Sequence, residues 1–262
     1  MTENGSQEYT SVIFLDTNVV HCSKLVLAFA EIHGLDVLTA DLDSFKQELA
    51  DKGVGAVDDY VKGYWILRYL KERTDERSVL LYSPITQLEL LCGSLRGEAI
   101  KRAVNVGVPN RWFSRVTENE IRGHLEPDGY TQVQAEQTDA ESRFGSAGIT
   151  LDARPVDREV WQLAHTVMEN VFIDVQDCVV YSSALVSQSS ELITLDGYLR
   201  STVGYTSNPG SAPDPLKQRF QSVKSALVRT YAAIAGCNED EVTLPDKKGI
   251  REIKSFLNGE AA

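Results

Sequence analysis

The sequence predicts an α/β protein: a three-layer sandwich around a central, mainly parallel twisted sheet, with a helical insertion and C-terminal helices. Three observations predict it. The runs SVIFL (11–15), SVLLY (78–82) and ELITL (191–195) are apolar without alternating polar residues, as strands buried on both faces must be. Between them the apolar spacing turns helical, so strand and helix alternate as in a parallel sheet covered by crossover helices. Finally, 42% of the 262 residues are apolar, enough for a chain of this length to bury roughly 70–75% of its unfolded surface.

The first run stops at Asp16. Val19, Val20, Leu25, Leu27, Phe29 and Ile32 then recur at helical spacing up to Gly34, a helix stop, so Asp16 marks a strand-to-helix junction. Residues 35–59 are acidic, with Asp36, Asp41, Asp43, Glu48, Asp51, Asp58 and Asp59 against Lys46 and Lys52, and read as a solvated helical face. Tyr60 to Leu70 is aromatic at helical spacing and leads into the second strand. Ser83 and Pro84 start the next helix, ITQLELLCG, which places Leu88, Leu91 and Cys92 on one face and Glu89 in the first turns. Residues 97–156 are the least regular: a basic-aromatic part, then a Gly, Gln, Asp and Glu-rich part from Tyr130 to Gly148. They are expected to form a helical insertion plus a mobile loop.

Helical spacing resumes over 157–171. In FIDVQDCVVYSSALVSQS, Asp174 can cap a helix, which puts Asp177 at its third position, where orphan N–H groups and the helix dipole favour negative charge. The third strand closes at Asp196 and Gly197, and further helices are expected near 216–234 and 249–257. Trp65 and Trp161, at helical apolar spacing, are expected in the core.

Lys and Arg number 26 against 38 Asp and Glu, a formal charge of −12, so attraction to a polyanion cannot come from the field of the whole molecule. Any nucleic-acid contact must be local. Cys22, Cys92, Cys178 and Cys237 are scattered in apolar runs with no zinc spacing and read as reduced core thiols. The first ten residues carry acids and no basic region, and no apolar run reaches the ~18–20 residues of a membrane span. The expectation is a cytoplasmic protein without membrane contact. Serine-hydrolase, P-loop and dinucleotide motifs are absent, and His21, His33, His124 and His165 share no ligand spacing.

Asp16 and Asp196 end strands, while Glu89 and Asp177 begin helices. Right-handed crossovers can bring all of them to one end of the sheet, where ligands of such folds bind. Gathered carboxylates repel one another, so something positive must sit among them. Hard oxygen donors without histidine or thiolate favour Mg²⁺ or Mn²⁺, suited to metal-assisted hydrolysis of a phosphodiester.

The order VIFLDTNVV, SPITQLELLCG, DVQDCVVYSSAL, LITLD resembles the PIN-domain nucleases. The resemblance covers about 11–20, 78–93, 172–200 and the helices between. It implies a catalytic metal site at Asp16, Glu89, Asp177 and Asp196, supported by Asn18 and Thr194. The implied activity is divalent-metal-dependent endonucleolytic cleavage of RNA, leaving a 5′-phosphate and a 3′-hydroxyl. Members are often toxins neutralised by an antitoxin, and a homodimer is a common state. The nuclease domain would occupy 1–202, with insertions at 35–77 and 97–156, and 203–262 would be a C-terminal helical extension. These additions depart from the compact toxin pattern. Arg96, Arg102, Arg111, Trp112 and Arg115, with Lys101, are candidates for substrate contact, as is a basic helix with Lys217, Arg219, Lys224 and Arg229. The rival readings are a PIN-fold binding or scaffold protein without catalysis and a phosphatase of the haloacid dehalogenase type. The latter wants an Asp where this chain has Asn18.

Overall fold

β1 (Val12–Leu15) ends where Asp16 takes the chain out of the sheet. The Asp16 side chain accepts the Thr17 N–H, and α1 (Thr17–His33) runs from that cap to Gly34, whose φ of 65° lets the chain turn left-handed out of the helix. The computed structural model describes residues 11–259 apart from 56, 114–128 and 172. α2 (Leu42–Asp51) and α3 (Val57–Asp75) complete the crossover to β2 (Val79–Tyr82). α3 lies so close to α1 that a side chain at Gly63 would meet the Cys22 carbonyl oxygen, so only glycine fits there. Ser83 caps α4 (Pro84–Asn105), with Pro84 in its first turn. Then come α5 (Gly129–Ser146), β3 (Leu151–Ala153), α6 (Arg158–Asn170), α7 (Val175–Val186) and β4 (Glu191–Ile193). α8 (Gly197–Ser207), α9 (Asp214–Ala235), β5 (Asp246–Lys248) and α10 (Ile250–Leu257) complete the chain.

The five strands form one sheet in the order β3-β2-β1-β4-β5, with every pair parallel. Successive residues of β1 face opposite sides. Ile13 and Leu15 pack into a core with α1, α3 and α10, while Phe14 packs into a second core with α6, α7, α8 and α9. Helices therefore cover both faces, giving the expected layers. Among the described residues no helix is long and apolar enough to cross a membrane. The cysteines are free thiols, Cys22 and Cys178 buried, Cys92 and Cys237 half-buried.

Four expectations need correction. β3 and β5 were not foreseen: each has three residues and lies at an edge, and β5 is the polar segment DKK, so neither carries an apolar run. The mobile loop expected within 97–156 does not fall on Tyr130 to Gly148, most of which is α5, whose Ala140 and Phe144 are fully buried. A boundary at 202 falls inside α8, and the tail beyond it supplies β5 to the common sheet, so it is more than a helical extension. Trp161 is 49% exposed, because α6 turns Val160, Leu163, Ala164 and Val167 to the core instead.

Candidate functional site

Three strands stop in register. Leu15 lies opposite both Tyr82 and Ile193, so the residues that follow, Asp16, Ser83 and Thr194, stand side by side at the C-terminal edge. The chain adds β2 and β3 on one side of β1 and then crosses to add β4 and β5 on the other. The order thus reverses at β1, where open α/β sheets form their ligand crevice. α1, α4 and α8 all begin here.

Asp16 is 3% exposed and both its oxygens are engaged. Oδ1 accepts the Thr17 N–H at 2.7 Å, and Oδ2 accepts the Thr194 hydroxyl at 2.6 Å. Thr194 Oγ1 in turn accepts the Asp196 N–H at 3.0 Å, so one hydroxyl couples two of the predicted acids. Asn18 Oδ1 accepts the Leu195 N–H at 2.9 Å and pins the β4–α8 turn to the start of α1. Asp196 caps α8, accepting from Tyr198 N–H at 2.7 Å and Leu199 N–H at 2.8 Å. Asp174 caps α7 by accepting the Asp177 N–H at 2.8 Å, and Asp177 occupies the third position of that helix. Glu89, on α4, accepts a hydrogen bond from the Thr17 hydroxyl.

These carboxylates also act on one another electrostatically. Burial first, and then the charges of Asp174, Asp16, Asp196 and Glu89, together push the Asp177 carboxyl up to about 7. Glu89 is raised first by burial and then by Asp16 and Asp174, against the Thr17 hydrogen bond. Burial also raises Asp16, its hydrogen bonds oppose that, and Asp196 adds to it. The charges acting most strongly on all three are carboxylates. Positive helix N-termini offset part of this repulsion, worth roughly 0.3–1 kcal/mol each.

Asp16, Glu89, Asp177 and Asp196 are thus brought together from four helices, with Asn18 and Thr194 as their supports. The oxygen-only donor set suits a hard divalent cation. As the side chains stand, however, no three His, Cys, Asp or Glu among the described residues lie within joint reach of one ion. Asp174 is more than the helix cap its sequence position suggests, because its charge acts on both Asp177 and Glu89. Thr17, not among the expected site residues, holds Glu89 through its hydroxyl; the signal was a hydroxyl at the first helical position beside Asp16.

The basic candidates divide. Arg96 lies two turns beyond Glu89 on α4, about 10 Å along the axis, and its charge acts on Cys92, as does that of Glu89. Arg102, in the last turn of α4, is about 20 Å along the axis from Glu89. The Arg111 guanidinium lies 5.9 Å from the Trp112 ring centroid. Arg115 lies outside the described residues. On α9 the four basic residues hold local partners: Lys217 with Asp214, Arg219 with the Asn170 carbonyl, Lys224 with the Ser207 carbonyl, and Arg229 with Glu239.

No protein-family model matches the chain, and neither a curated protein nor a solved structure matches it significantly.

Proposed function

We propose that the chain is a divalent-metal-dependent endoribonuclease working at the C-terminal edge of its sheet. One observation carries this reading: five carboxylates, Asp16, Glu89, Asp174, Asp177 and Asp196, act on one another where the sheet order reverses, and the strongest charges on the half-buried ones are other carboxylates. Such an arrangement is costly unless a cation joins it. Mg²⁺ or Mn²⁺ held by Asp16, Glu89, Asp177 and Asp196 supplies, when bound, charge neutralisation and water activation at a phosphodiester.

The chain's own residues prepare the place. Asp16 is fixed through both oxygens, Thr194 couples it to the turn carrying Asp196, and Thr17 holds Glu89. Arg96, two turns on from Glu89, offers a contact for a phosphate of the same strand.

The second reading is a binding protein of the same fold that does no chemistry. Its support is that no three of these side chains converge on one point. Mutual repulsion splays carboxylates in the absence of a cation, so adding one separates the two readings.

Single-stranded RNA incubated with the protein and Mn²⁺ or Mg²⁺ is expected to be cut internally, and EDTA to stop the cutting. Asp16→Asn and Asp177→Asn should each lower the rate at least ~10²-fold. Mn²⁺ should also raise the melting temperature of the parent and fail to raise that of Asp177→Asn. Equal cleavage by parent and variants, or no metal-dependent cleavage, rejects the nuclease; absence of a Mn²⁺ shift as well leaves the binding protein.

A further inference from the structure

α6 turns Val160, Leu163, Ala164 and Val167 inward, and α9 lies along one of its flanks, where Thr166 meets Thr230 and the Asn170 carbonyl meets Arg219. Glu159 is on that flank too, its charge reaching Tyr231 of α9. What remains outward is one stripe about three turns long: Arg158, Trp161, Gln162, His165, Met168 and Glu169, all exposed. Trp161 is 49% and Met168 38% in solvent, although each would gain from burial. Singly exposed apolar residues are ordinary. The order of this stripe is not.

Taken from its two ends toward its middle, the stripe sets a cation opposite an anion (Arg158 and Glu169), an aromatic ring opposite a thioether (Trp161 and Met168) and an amide opposite an imidazole (Gln162 and His165). The midpoints of all three pairs fall between Leu163 and His165. Turning the helix end over end about that midpoint lays each group on its complement, which is what an interface between two identical copies requires: residue i meets j while j meets i. Charge points the same way. Arg158 stands near the N-terminal end of α6 and Glu169 near its C-terminal end, each at the end of the helix dipole that disfavours it. Among the described residues Arg158 has no acidic partner, and Glu169 meets only the His165 imidazole, at 3.4 Å. An antiparallel second copy supplies both counter-charges at once, whereas a parallel one would set like charges against each other at both ends.

We infer that the outer face of α6 pairs two copies of this chain about a two-fold axis over Ala164, with Arg158 against Glu169 and Trp161 against Met168 of the second copy. The Trp161 ring then gains a sulfur contact as well as burial. A standard interface takes about 600–1,000 Å² from each partner, more than one helix of about 20 Å offers. The groove between α6 and α9, where Gln162 lies beside Ala233 and Ile234, widens the face to two helices. The pairing stands apart from the nuclease reading, since neither metal nor RNA enters it.

Sedimentation velocity on the full chain in EDTA should show a monomer–dimer equilibrium with a dissociation constant of about 1–100 μM, the range of a small interface. Arg158→Glu and Glu169→Arg should each weaken it roughly 10- to 100-fold, because two attractive pairs become repulsive. Mixed in equal amounts, these two variants should pair again about as well as the parent, since only a mixed pair brings opposite charges together at both ends. Both charge changes suit the dipole of α6, so a loss of pairing does not come from a weaker helix. Trp161→Ala should weaken pairing by a similar factor while the melting temperature stays close to that of the parent, the ring being half outside the core already. The inference is overturned if the parent stays monomeric up to about 200 μM. It is overturned equally if the parent dimerises and Arg158→Glu and Trp161→Ala dimerise as well as it does, or if the mixture pairs no better than either variant alone.

Discussion

The two edges of the sheet treat carboxylates in opposite ways. At the N-terminal edge Glu191 opens β4, and it is answered: the Tyr69 hydroxyl donates to it at 2.5 Å and Arg73 approaches at 3.5 Å, while Arg73 also meets Glu76 at 2.6 Å. Hydroxyls of Ser11 and Ser78 join across the strand starts at 2.7 Å. At the C-terminal edge Asp16 and Glu89 find hydrogen-bond donors, and the charges acting on Asp16, Glu89 and Asp177 are other carboxylates. Elsewhere too this chain pairs its acids: Lys24 and Arg143 hold Asp139 below the ordinary carboxylate range, outweighing the opposing effect of its burial. Among the described residues the charges acting most strongly on Asp177 are carboxylates, in contrast to the cations that meet Glu191 and Asp139.

The largest effect on stability should come from the compensated edge. Glu191→Ala leaves Arg73 and Tyr69 partly buried without their acceptor, and a broken pair of this kind costs about 2–4 kcal/mol. Urea unfolding should show the midpoint falling accordingly. A midpoint equal to that of the parent would erase the contrast between the edges, because Glu191 would then be as dispensable to the fold as an exposed acid.

At the other edge the sign reverses. Asp177 titrates near 7 in the folded protein and near 4 once unfolded. Folding is therefore most favourable below about pH 4, where the carboxyl is protonated in both states, and this contribution is lost as pH rises through about 7. Because Asp177 is half-buried, solvent screening reduces the penalty to about 1–2 kcal/mol. In EDTA at pH 8, Asp177→Asn should be more stable than the parent by about that amount, and the difference should vanish at pH 4. Thermal melts at the two pH values measure both. A variant that is less stable at pH 8 would show that the carboxylate holds the fold together, as Glu191 does.

What could be read from the sequence follows the same division. β1, β2 and β4 are central strands covered on both faces, so burial shows as mainly apolar runs, and the acids at Asp16, Glu89, Asp177 and Asp196 could be located from where those runs stop and helices start. β3 and β5 are edge strands of three residues, formed because a neighbour offers a ladder rather than because Leu151–Ala153 or Asp246–Lys248 prefers extension. α5 escaped because its Gly, Thr and Gln content resembles a loop and its buried face reduces to a few positions such as Ala140 and Phe144. Thr17 is marked in the sequence only by its position beside Asp16, since its partner Glu89 is 72 residues away, and the effect of Asp174 on Glu89 exists only through the field of the folded chain.

The smallest expected effect probes how the acidic edge is held. Asn18 accepts the neutral hydrogen bond of the Leu195 N–H at 2.9 Å, and loss of that bond in Asn18→Ala should cost about 1 kcal/mol. Asn18 also stabilises the charged form of Asp16, so removing it raises that carboxyl further. The bond spans 177 residues of sequence and fixes the turn that carries Asp196, so the same substitution should weaken the Mn²⁺-induced rise in melting temperature by more than it lowers the metal-free melting point. If both shifts are equally small, the turn is held by Thr194 and the backbone alone. The acidic edge would then be as rigid as the compensated edge, and what separates the two would be charge only.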